Sequence, residues 1–396
     1  MRVDLLDPPA YSPPYDDALA TALAKLGVDV RLVTSPFAYG PVPEPEGYTR
    51  EEVFYRHVHG AAGSKVRTLG KLAAHGGDMR RYRRSARDLV HVQWLTVPRV
   101  DLRLLPERPT VLTIHDPLER GDRRGGRGAI PASAFARVDA IVVHSQFARD
   151  QVIAQHGLEP ERVHVIRHGA LKTTAETTAE TTAAFSAGLT PQTDVKPAKN
   201  VTDSLPPELG GLAETDLPVV LCFGLIRPYK GAEVLLEAWR GITDAELWIV
   251  GRPMVDLAPL VAAAPDGVRF VPRFVTDAEE AALFARADIV VLPYERSERF
   301  GFSGVLATAL GAGKAIVLSD VGGFSELGEL DPDDPPARLV SAGDPGLLHA
   351  ALVDLIADPA ARSRLGDAAR RAAEGQFSWE TAAQETLALY EKIAAK

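Results

Sequence analysis

The sequence has almost no cysteine. Its 396 residues contain only Cys222, which excludes a disulfide framework and a zinc site built on thiolates. Leu221 and Phe223 flank this cysteine, so packing in an apolar core is its expected role. A chain without disulfides suits a reducing compartment, and we expect the protein in the cytoplasm.

Long apolar runs are also lacking. A helix that crosses a bilayer needs about 18 consecutive apolar residues, whereas the runs here, such as 140–143, have the length of strands. The first residues do not show the charged and then apolar order of a signal peptide. Both features predict a cytoplasmic protein without a membrane-spanning segment.

The formal net charge is −9, but basic residues are not scarce in the first part of the chain. Residues 1–170 contain 24 Lys and Arg against 20 Asp and Glu, and the remainder contains 20 against 33. One basic cluster includes the Arg80–Arg87 region. It is either a solvated helix face or a surface for an anionic membrane or an anionic acceptor. No nucleic-acid-binding motif accompanies it, so nucleic acid is not an expected partner.

What the sequence does contain is an ordinary globular composition, with 46% hydrophobic and 24% charged residues. Its length suggests two or three domains at about 150 residues each. Short apolar runs alternate with helical patterns, which predicts βαβ units on parallel sheets. The predicted strands are 3–6, 28–33, 89–92, 110–114, 140–143 and 163–166, and then 218–223, 246–250, 268–271, 289–292 and 315–318.

A segment of low complexity separates the two series of strands. It repeats Thr-Thr-Ala-Glu and continues with a stretch rich in Pro, Thr, Asp and Lys, which is typical of a linker or a disordered insertion. We therefore predict doubly wound domains at 1–170 and 217–378, a linker at 171–216, and a last helix at 379–396 that packs on the first domain. Ligands of such sheets bind at the carboxyl ends of the strands, and a cleft between the two domains is the expected site.

The stretch 223–231 reads Phe-Gly-Leu-Ile-Arg-Pro-Tyr-Lys-Gly. Gly224 permits a turn at the end of a strand, and Arg227 and Lys230 follow it in a short loop before the next helix. Two cations on a strand-to-helix loop suit a diphosphate. A basic turn without a ligand is the alternative.

A second anion site is predicted where another strand leads into a helix. Ser303 and Gly304 begin this helix, and the first turn of a helix presents free backbone N–H groups and the positive end of the helix dipole. The two motifs together favour a ligand that carries several phosphate charges.

These motifs resemble the retaining, nucleotide-sugar-dependent glycosyltransferases of family 4 type, the large family of bacterial mannosyl- and glucosyltransferases and sucrose synthases. The resemblance includes the stretches 113–116, 143–145, 164–169 and 377–379 and covers nearly the whole chain. It implies the GT-B fold, in which two Rossmann-like domains face each other across a cleft and the C-terminal one holds most of the donor.

The resemblance also implies roles for single residues. Lys230 matches the family lysine on the donor diphosphate, and Arg227 lies two positions beyond the usual arginine. His115 lies where such enzymes keep a histidine near the transferred sugar, and a histidine there is suited to polarise a hydroxyl group. Backbone groups at Arg273 and Phe274 would contact the nucleotide base.

The sequence departs from the family at two glutamates that are normally eight positions apart. Glu298 resembles the first, which binds the sugar, but Leu306 occupies the position of the second. Thr308 is the candidate for the ribose contact, and Glu295 is the alternative to Glu298. The predicted donor-binding residues are Gly224, Arg273, Phe274, Ser303, Gly304, Val305 and Thr308, and the predicted catalytic ones are His115, Arg227, Lys230 and Glu298.

The function predicted in this way is transfer of a sugar, with retention, from a nucleotide diphosphate sugar to a hydroxyl of a sugar, lipid-linked or small-molecule acceptor. No metal and no further cofactor is expected, and the Arg80–Arg87 region is the candidate contact with the inner face of the membrane. A sugar-nucleotide epimerase of the same architecture and a non-catalytic nucleotide-sugar-binding relative are the alternatives.

Overall fold

The computed structural model describes residues 1–37, 42–59, 64–115, 132–172, 205–209, 216–296 and 302–395. The chain divides into two compact units, which we call the first and the second domain. The first consists of Met1–Gly169, Arg299–Phe302 and Phe377–Lys396, and the second of Ala170–Glu298 and Ser303–Gln376. Each has its own parallel sheet.

Strands and helices alternate along the first domain. Its elements up to residue 165 are β1 (Arg2–Asp7), α1 (Pro13–Lys25), β2 (Asp29–Thr34), β3 (Thr49–Glu52), α2 (Lys65–Arg83), β4 (Leu89–Val92), α3 (Pro98–Leu104), β5 (Thr110–Thr113), β6 (Ala140–Val143), α4 (Gln146–His156) and β7 (Val163–Val165). Short 3₁₀ turns cover Ala132–Phe135 and Pro160–Arg162.

The sheet of the first domain has the order β3-β2-β1-β4-β5-β6-β7, with parallel neighbours throughout. Val3 of β1 pairs with Val30 on one side and with Leu89 on the other. The strand order therefore reverses between β1 and β4, and loops that follow these two strands flank the crevice where such sheets bind ligands. Separate hydrophobic clusters cover the two faces of the sheet.

The start of helix α1 and the edge strand β3 each have a local cause. Helix α1 begins at Pro13, because proline lacks the N–H that a first-turn residue leaves unpaired, and its fixed φ suits that turn. Strand β3 was not predicted, since its sequence Thr-Arg-Glu-Glu is polar. It is tolerated at the edge of the sheet, where only β2 pairs with it.

The second domain repeats the alternation. Its elements are β8 (Val219–Phe223), α5 (Ala232–Ala238), β9 (Glu246–Val250), α6 (Ala258–Ala263), β10 (Val268–Val271), α7 (Asp277–Arg286), β11 (Ile289–Leu292), α8 (Gly304–Gly311), β12 (Ala315–Asp320), α9 (Leu327–Leu330), β13 (Arg338–Ser341), α10 (Pro345–Ala357) and α11 (Pro359–Glu374).

The sheet of the second domain has the order β10-β9-β8-β11-β12-β13 and is also parallel. Here the strand order reverses between β8 and β11, so the loops after these two strands flank its ligand crevice. The prediction of an α/β protein with two doubly wound sheets is confirmed. The core consists of aliphatic residues of the central strands and of α5 and α10.

The last helix, α12 (Trp379–Ala394), belongs to the first domain, although it follows the second in the sequence. Ala383, Leu389 and Tyr390 are buried in the cluster that also contains α1. The Tyr390 hydroxyl lies 2.6 Å from Nδ1 of His91 in β4. This helix therefore completes one face of the first sheet.

The predicted linker at 171–216 lies mostly outside the described residues. The part at 205–209 is not extended coil, because Pro207–Leu209 forms a 3₁₀ turn and Leu209 is fully buried. Its neighbour Glu208 forms an ion pair with Arg273. An apolar anchor and a charge pair thus fix this part to the second domain, which differs from the prediction of a linker there.

Candidate active site

The loop after β8 is held close to the segment that follows β11. Gly231 has φ +70°, and a Cβ there would lie 1.8 Å from the carbonyl oxygen of Pro293. The N–H of Glu295 donates to the carbonyl of Tyr229 at 2.8 Å. The two loops at the reversal of strand order therefore form one rigid unit.

Lys230 lies in this unit, on the 3₁₀ turn Pro228–Lys230. Its Nζ is 5.2 Å from the centre of the buried Tyr294 ring. A Cβ at Gly224 would be 2.9 Å from this Nζ and 3.1 Å from Cγ2 of Val305. The structure thus brings Gly224, Lys230 and Val305 together, and the φ of +103° at Gly224 favours glycine at this position.

Lys230 and Arg227 place two positive charges in the same loop. Burial, and then the charge of Arg227, lower the pKa of the Lys230 ammonium group. Neither residue forms an ion pair with a carboxylate among the residues that the structure describes. A desolvated cation that lacks a protein counterion is a site for an anionic ligand.

The first turn of α8 lies beside the lysine. Ser303 is the N-cap residue, and its side chain makes no capping hydrogen bond; its Oγ lies instead 3.3 Å from the Tyr294 hydroxyl. A Cβ at Gly304 would meet no described atom within 4 Å. The N–H groups of this turn have no partner inside the helix, so Tyr294 connects the open start of this helix to the lysine.

Thr308 follows one turn later in α8. Its side chain is buried, and its hydroxyl donates to the carbonyl of Gly304 at 3.2 Å. The role predicted for it, a contact with the ribose, remains a prediction.

Arg273 and Phe274 follow β10, two strands away from β8 in the same sheet. Neighbouring strands are spaced by about 4.8 Å, which puts this loop about 10 Å from the lysine loop along the same edge. The Arg273 guanidinium binds Glu208 and Glu279, with N–O distances of 2.7 and 2.6 Å. Its side chain is thus held by two ion pairs. The backbone of this loop remains the part that is predicted to contact the base.

One of the two candidate glutamates is described. Glu295 is half-buried directly after β11, next to the lysine loop. Glu298 lies outside the described residues, so the two remain alternatives for the sugar contact.

His115 lies in the first domain, beyond the end of β5. Its ring stacks on Trp94, with centroids 4.7 Å apart and an angle of 15° between the planes. Tyr15 contacts it edge-on at 4.8 Å, and the exposed Tyr11 packs edge-on against Trp94. Loops after β1, β4 and β5 thus build an aromatic cluster at the reversal of strand order.

A chain of hydrogen bonds fixes the tautomer of His115. Nδ1 of His144 lies 2.9 Å from the carbonyl oxygen of Ile166 and therefore donates to it. Burial lowers the pKa of His144 to about 4, so its Nε2 is an acceptor, and Nδ1–H of His115 donates to it at 3.0 Å. Nε2 of His115 is left as the nitrogen that accepts a proton, with the Gln93 side chain 3.3 Å away.

The orientation of the Gln93 amide follows from this tautomer. An acceptor nitrogen on His115 requires the NH₂ group of Gln93, rather than the amide oxygen, to face it. The oxygen and the nitrogen of a side-chain amide have nearly the same shape, so hydrogen bonds decide which of them faces the ring. With the oxygen facing His115, the buried Nε2 of Gln93 has no hydrogen-bond partner among the described residues. With the NH₂ group facing it, Nε2 donates to the ring nitrogen.

Sequence reasoning missed Tyr294, Gln93 and His144. Tyr294 directly follows a strand that was predicted, which is a usable signal because loops after parallel strands carry the ligand groups. His144 also follows a predicted strand, 140–143, but its role depends on which carbonyl its ring meets, and the sequence gives no signal for that contact. No group of acidic, histidine or cysteine side chains suited to a metal ion occurs in the described parts of the chain.

The two domains that contain these loops each match a family model. Residues 17–170 match the model described as "Glycosyltransferase Family 4", and residues 217–358 match the model "Glycosyl transferases group 1". The chain is a family 4 glycosyltransferase. Its two domains correspond to the two matched regions, and the expectation of this family from the sequence motifs is confirmed.

Two relatives match this glycosyltransferase over very different lengths. It is 28% identical to a D-inositol 3-phosphate glycosyltransferase of Kineococcus radiotolerans, over 96% of this chain and 89% of the relative. An MMP alpha-(1->4)-mannosyltransferase of Mycolicibacterium hassiacum is 40% identical over 43% of this chain and 41% of its own length.

Solved structures place the glycosyltransferase in the GT-B fold. Sucrose-phosphate synthase of Thermosynechococcus elongatus superposes with a TM-score of 0.67 at 17% identity, covering 100% of this chain and 99% of that protein. HepE of Anabaena, solved in complex with UDP-glucose, gives 0.65 at 17% identity, with 99% and 100% covered. At these identities the likeness concerns the fold alone, and it confirms the expected architecture.

None of the helices in the described residues combines the length and the apolar character that crossing a bilayer requires.

Proposed function

We propose that this glycosyltransferase moves a sugar from a nucleotide diphosphate sugar to an acceptor hydroxyl, with retention at the anomeric carbon. The observation that carries the proposal is the pairing of two cations, Arg227 and Lys230, with the open first turn of α8. Neither cation has a carboxylate partner among the described residues. The donor's diphosphate is the ligand whose charge and size suit this arrangement.

The same groups suit the chemistry. Cleavage of the glycosidic bond leaves negative charge on the departing diphosphate, and groups fixed beforehand around that charge stabilise the transition state. The Lys230 ammonium group is held between Gly224 and Tyr294 before the ligand arrives. Two side-chain cations and the N–H groups of α8 supply the charge, so we propose that no metal ion is required.

The remaining donor contacts extend along the same edge of the sheet. We assign the base to the backbone at Arg273 and Phe274, the ribose to Thr308, and the sugar hydroxyls to Glu295 or Glu298. HepE, which has the same fold, was solved with UDP-glucose, and this supports a nucleotide sugar as the donor here as well.

The acceptor is assigned to the first domain. Nε2 of His115 can accept a hydrogen bond from an acceptor hydroxyl that replaces the Gln93 amide, as a group that orients a hydroxyl must do. The aromatic rings around it suit the apolar face of a sugar. One relative is named for D-inositol 3-phosphate, which is a polyol. A sugar, a lipid-linked sugar or a small polyol is the class we propose.

We further propose that the protein works in the cytoplasm and reaches the inner face of the membrane. The Arg80–Arg87 region was the expected contact, but two of its residues are engaged elsewhere. Arg83 pairs with Glu107, and Arg87 pairs with Asp29. A membrane contact therefore needs other residues of α2.

A thermal-shift panel with nucleoside diphosphates and nucleotide sugars, with and without EDTA, tests the donor site. We expect one nucleotide class to raise the melting temperature in both conditions, and Lys230→Ala to abolish this shift. Product analysis then follows, with a sugar acceptor present. A new glycoside with the donor's anomeric configuration supports the proposal; an epimerised donor, or binding without turnover, replaces it with one of the two alternatives.

A further inference from the structure

An open cavity of about 360 Å³ lies in the first domain, between α3 and the 3₁₀ turn Ala132–Phe135. Its volume is within the range of sites that bind small molecules. Three arginines line it, Arg99, Arg103 and Arg137, and none of the described residues that line it is acidic. The cavity is therefore positively charged, and it contains no residue of the donor or acceptor site.

Two of these arginines are a pair of like charges on one helix. Arg99 and Arg103 are four positions apart on α3, so they lie on the same side of it. Both are exposed, and neither forms an ion pair with a carboxylate in the described part of the chain. Like charges at this spacing repel each other and destabilise a helix. An anion bound between the two guanidinium groups would remove this repulsion.

The acidic residue of the same helix does not neutralise the pair. Asp101 is buried, where it hydrogen-bonds the His75 ring. It also accepts the N–H groups of Thr96 and Val97, at 2.7 and 2.8 Å. These bonds fix α3 to the loop after β4, and they leave the charge of the two arginines in place.

The third arginine lies beyond the 3₁₀ turn. Nη1 of Arg137 is 3.4 Å from the carbonyl oxygen of Leu105 and 3.4 Å from Oε1 of Glu107. Glu107 also pairs with Arg83, whose Nη2 is closer, at 2.9 Å. One carboxylate thus serves two arginines, so positive charge remains in excess around the cavity.

The other lining groups indicate the kind of anion. Ser133 adds a hydroxyl group, and Leu102 and Ala134 add aliphatic surface. A phosphate group accepts paired hydrogen bonds from guanidinium groups. The cavity is larger than a phosphate group alone, which leaves room for an organic body against the aliphatic surface.

We propose that this cavity binds a small soluble phosphate ester, whose phosphate group lies between Arg99 and Arg103 and whose organic body contacts Leu102. The proposal does not rest on the function proposed above, since none of these residues takes part in it.

Isothermal titration calorimetry of the full-length protein tests the proposal. The probes are glycerol 3-phosphate, ribose 5-phosphate and glucose 6-phosphate, and inorganic phosphate is the comparison. We expect at least one ester to bind about tenfold or more tightly than inorganic phosphate, because its body covers aliphatic surface. Arg99→Gln and Arg103→Gln should each raise its Kd by about tenfold through loss of a charge-assisted hydrogen bond. Arg103→Lys keeps the charge without the paired geometry and should raise the Kd by about threefold.

Two controls locate the bound ester. Arg240→Gln removes an exposed arginine of the second domain that has no ion pair among the described residues, and it should leave the Kd unchanged. Lys230→Ala should also bind the ester as the parent does, because the cavity shares no residue with the proposed diphosphate site. Binding that Lys230→Ala abolishes and Arg99→Gln preserves would place the ester in the donor site and overturn the proposal.

Three further results would contradict a site for a soluble ester. One is that none of the three esters binds, and another is that the esters and inorganic phosphate bind equally well. The third is binding to phosphatidylglycerol vesicles that Arg99→Gln abolishes, without binding of any ester, which would assign the cavity to a lipid headgroup. Melting temperatures of the variants show that a change in affinity is not a loss of fold.

Discussion

Nζ of Lys230 lies 5.2 Å from the centre of the Tyr294 ring, and the Tyr294 hydroxyl lies 3.3 Å from Oγ of Ser303 at the start of α8. One aromatic side chain thus touches both parts of the proposed diphosphate site. The ring holds the ammonium group by a cation–π contact and ties the lysine loop to the helix end. The site is built before a ligand enters it.

Lys230→Ala should lower kcat by about 100-fold or more, because it removes a preorganised positive charge from the departing diphosphate. Steady-state kinetics with a saturating nucleotide sugar would measure this loss. Lys392→Ala is the control, since that exposed lysine lies on α12 and should leave kcat unchanged. A Lys230→Ala enzyme with nearly normal turnover would refute the assignment.

Gly231→Ala should displace the lysine loop. Gly231 and Gly343 have nearly the same φ, +70° and +74°. A Cβ at Gly231 would lie 1.8 Å from the Pro293 oxygen, whereas a Cβ at Gly343 would meet nothing within 4 Å. Gly343→Ala should therefore lower the free energy of unfolding by about 1 kcal/mol, through left-handed backbone strain alone. Gly231→Ala should destabilise more and abolish the nucleotide-induced thermal shift; equal behaviour of the two variants would contradict the role of this close approach.

His144→Leu removes the acceptor that orients His115. We expect kcat to fall by up to about 100-fold through misplacement of the His115 ring, while KM for the donor stays unchanged, because His144 lies in the first domain. Steady-state kinetics in both substrates would separate the two parameters, and thermal unfolding would control for stability. A rise in donor KM with unchanged kcat would contradict a positioning role.

Acid should destabilise the first domain through its buried histidines. Burial lowers the pKa of His91 and of His168 to about 3, and that of His144 to about 4, whereas an unfolded histidine has a pKa of about 6.5. The unfolded chain therefore binds the extra protons first, and stability that is complete above about pH 6.5 is lost as the pH falls.

Each of these histidines should cost about 2 kcal/mol between pH 7 and pH 5. Urea unfolding at the two pH values would measure the loss, and His91→Gln should show a smaller pH dependence than the parent. The same dependence in both proteins would mean that other groups cause it.

Asp16→Asn should stabilise the protein at alkaline pH. Burial and the neighbouring Asp7 raise the pKa of Asp16 well above its usual range, and burial also raises that of Asp7. The folded state thus holds a proton that the unfolded state releases above about pH 3.9, so stability falls as the pH rises. The amide of the variant mimics the protonated carboxyl group. The gain in unfolding free energy should be larger at pH 8 than at pH 4, and a gain independent of pH would exclude a retained proton.

The sequence predicted the parallel sheets well, because strands buried on both faces are continuous apolar runs such as 140–143 and 289–292. It also located Gly224 and Lys230, whose spacing places both at one loop. The polar edge strand β3 lacked that signal, since its place in the sheet depends on pairing with β2 rather than on its own residues.

Other features depend on contacts between distant residues. The backbone at Arg273 is predicted to contact the base, and what the sequence does not show is that the guanidinium of this residue is fixed by Glu208, which is 65 positions away in the chain. The low pKa values of His91, His144 and His168 follow from burial that only the folded chain creates. The sequence spacing of the apolar residues in α2 is equally compatible with a buried helix face, and only their exposure in the fold shows which side of α2 meets solvent.

The position of α12 affects the order in which the two domains fold. Its Ala383, Leu389 and Tyr390 complete a core whose other residues come from the first 170 positions of the chain. During translation the ribosome must therefore finish the second domain before the first can close. The domain that begins synthesis first is the last to become resistant to proteolysis, and until then the surface awaiting α12 on α1 is open to chaperones.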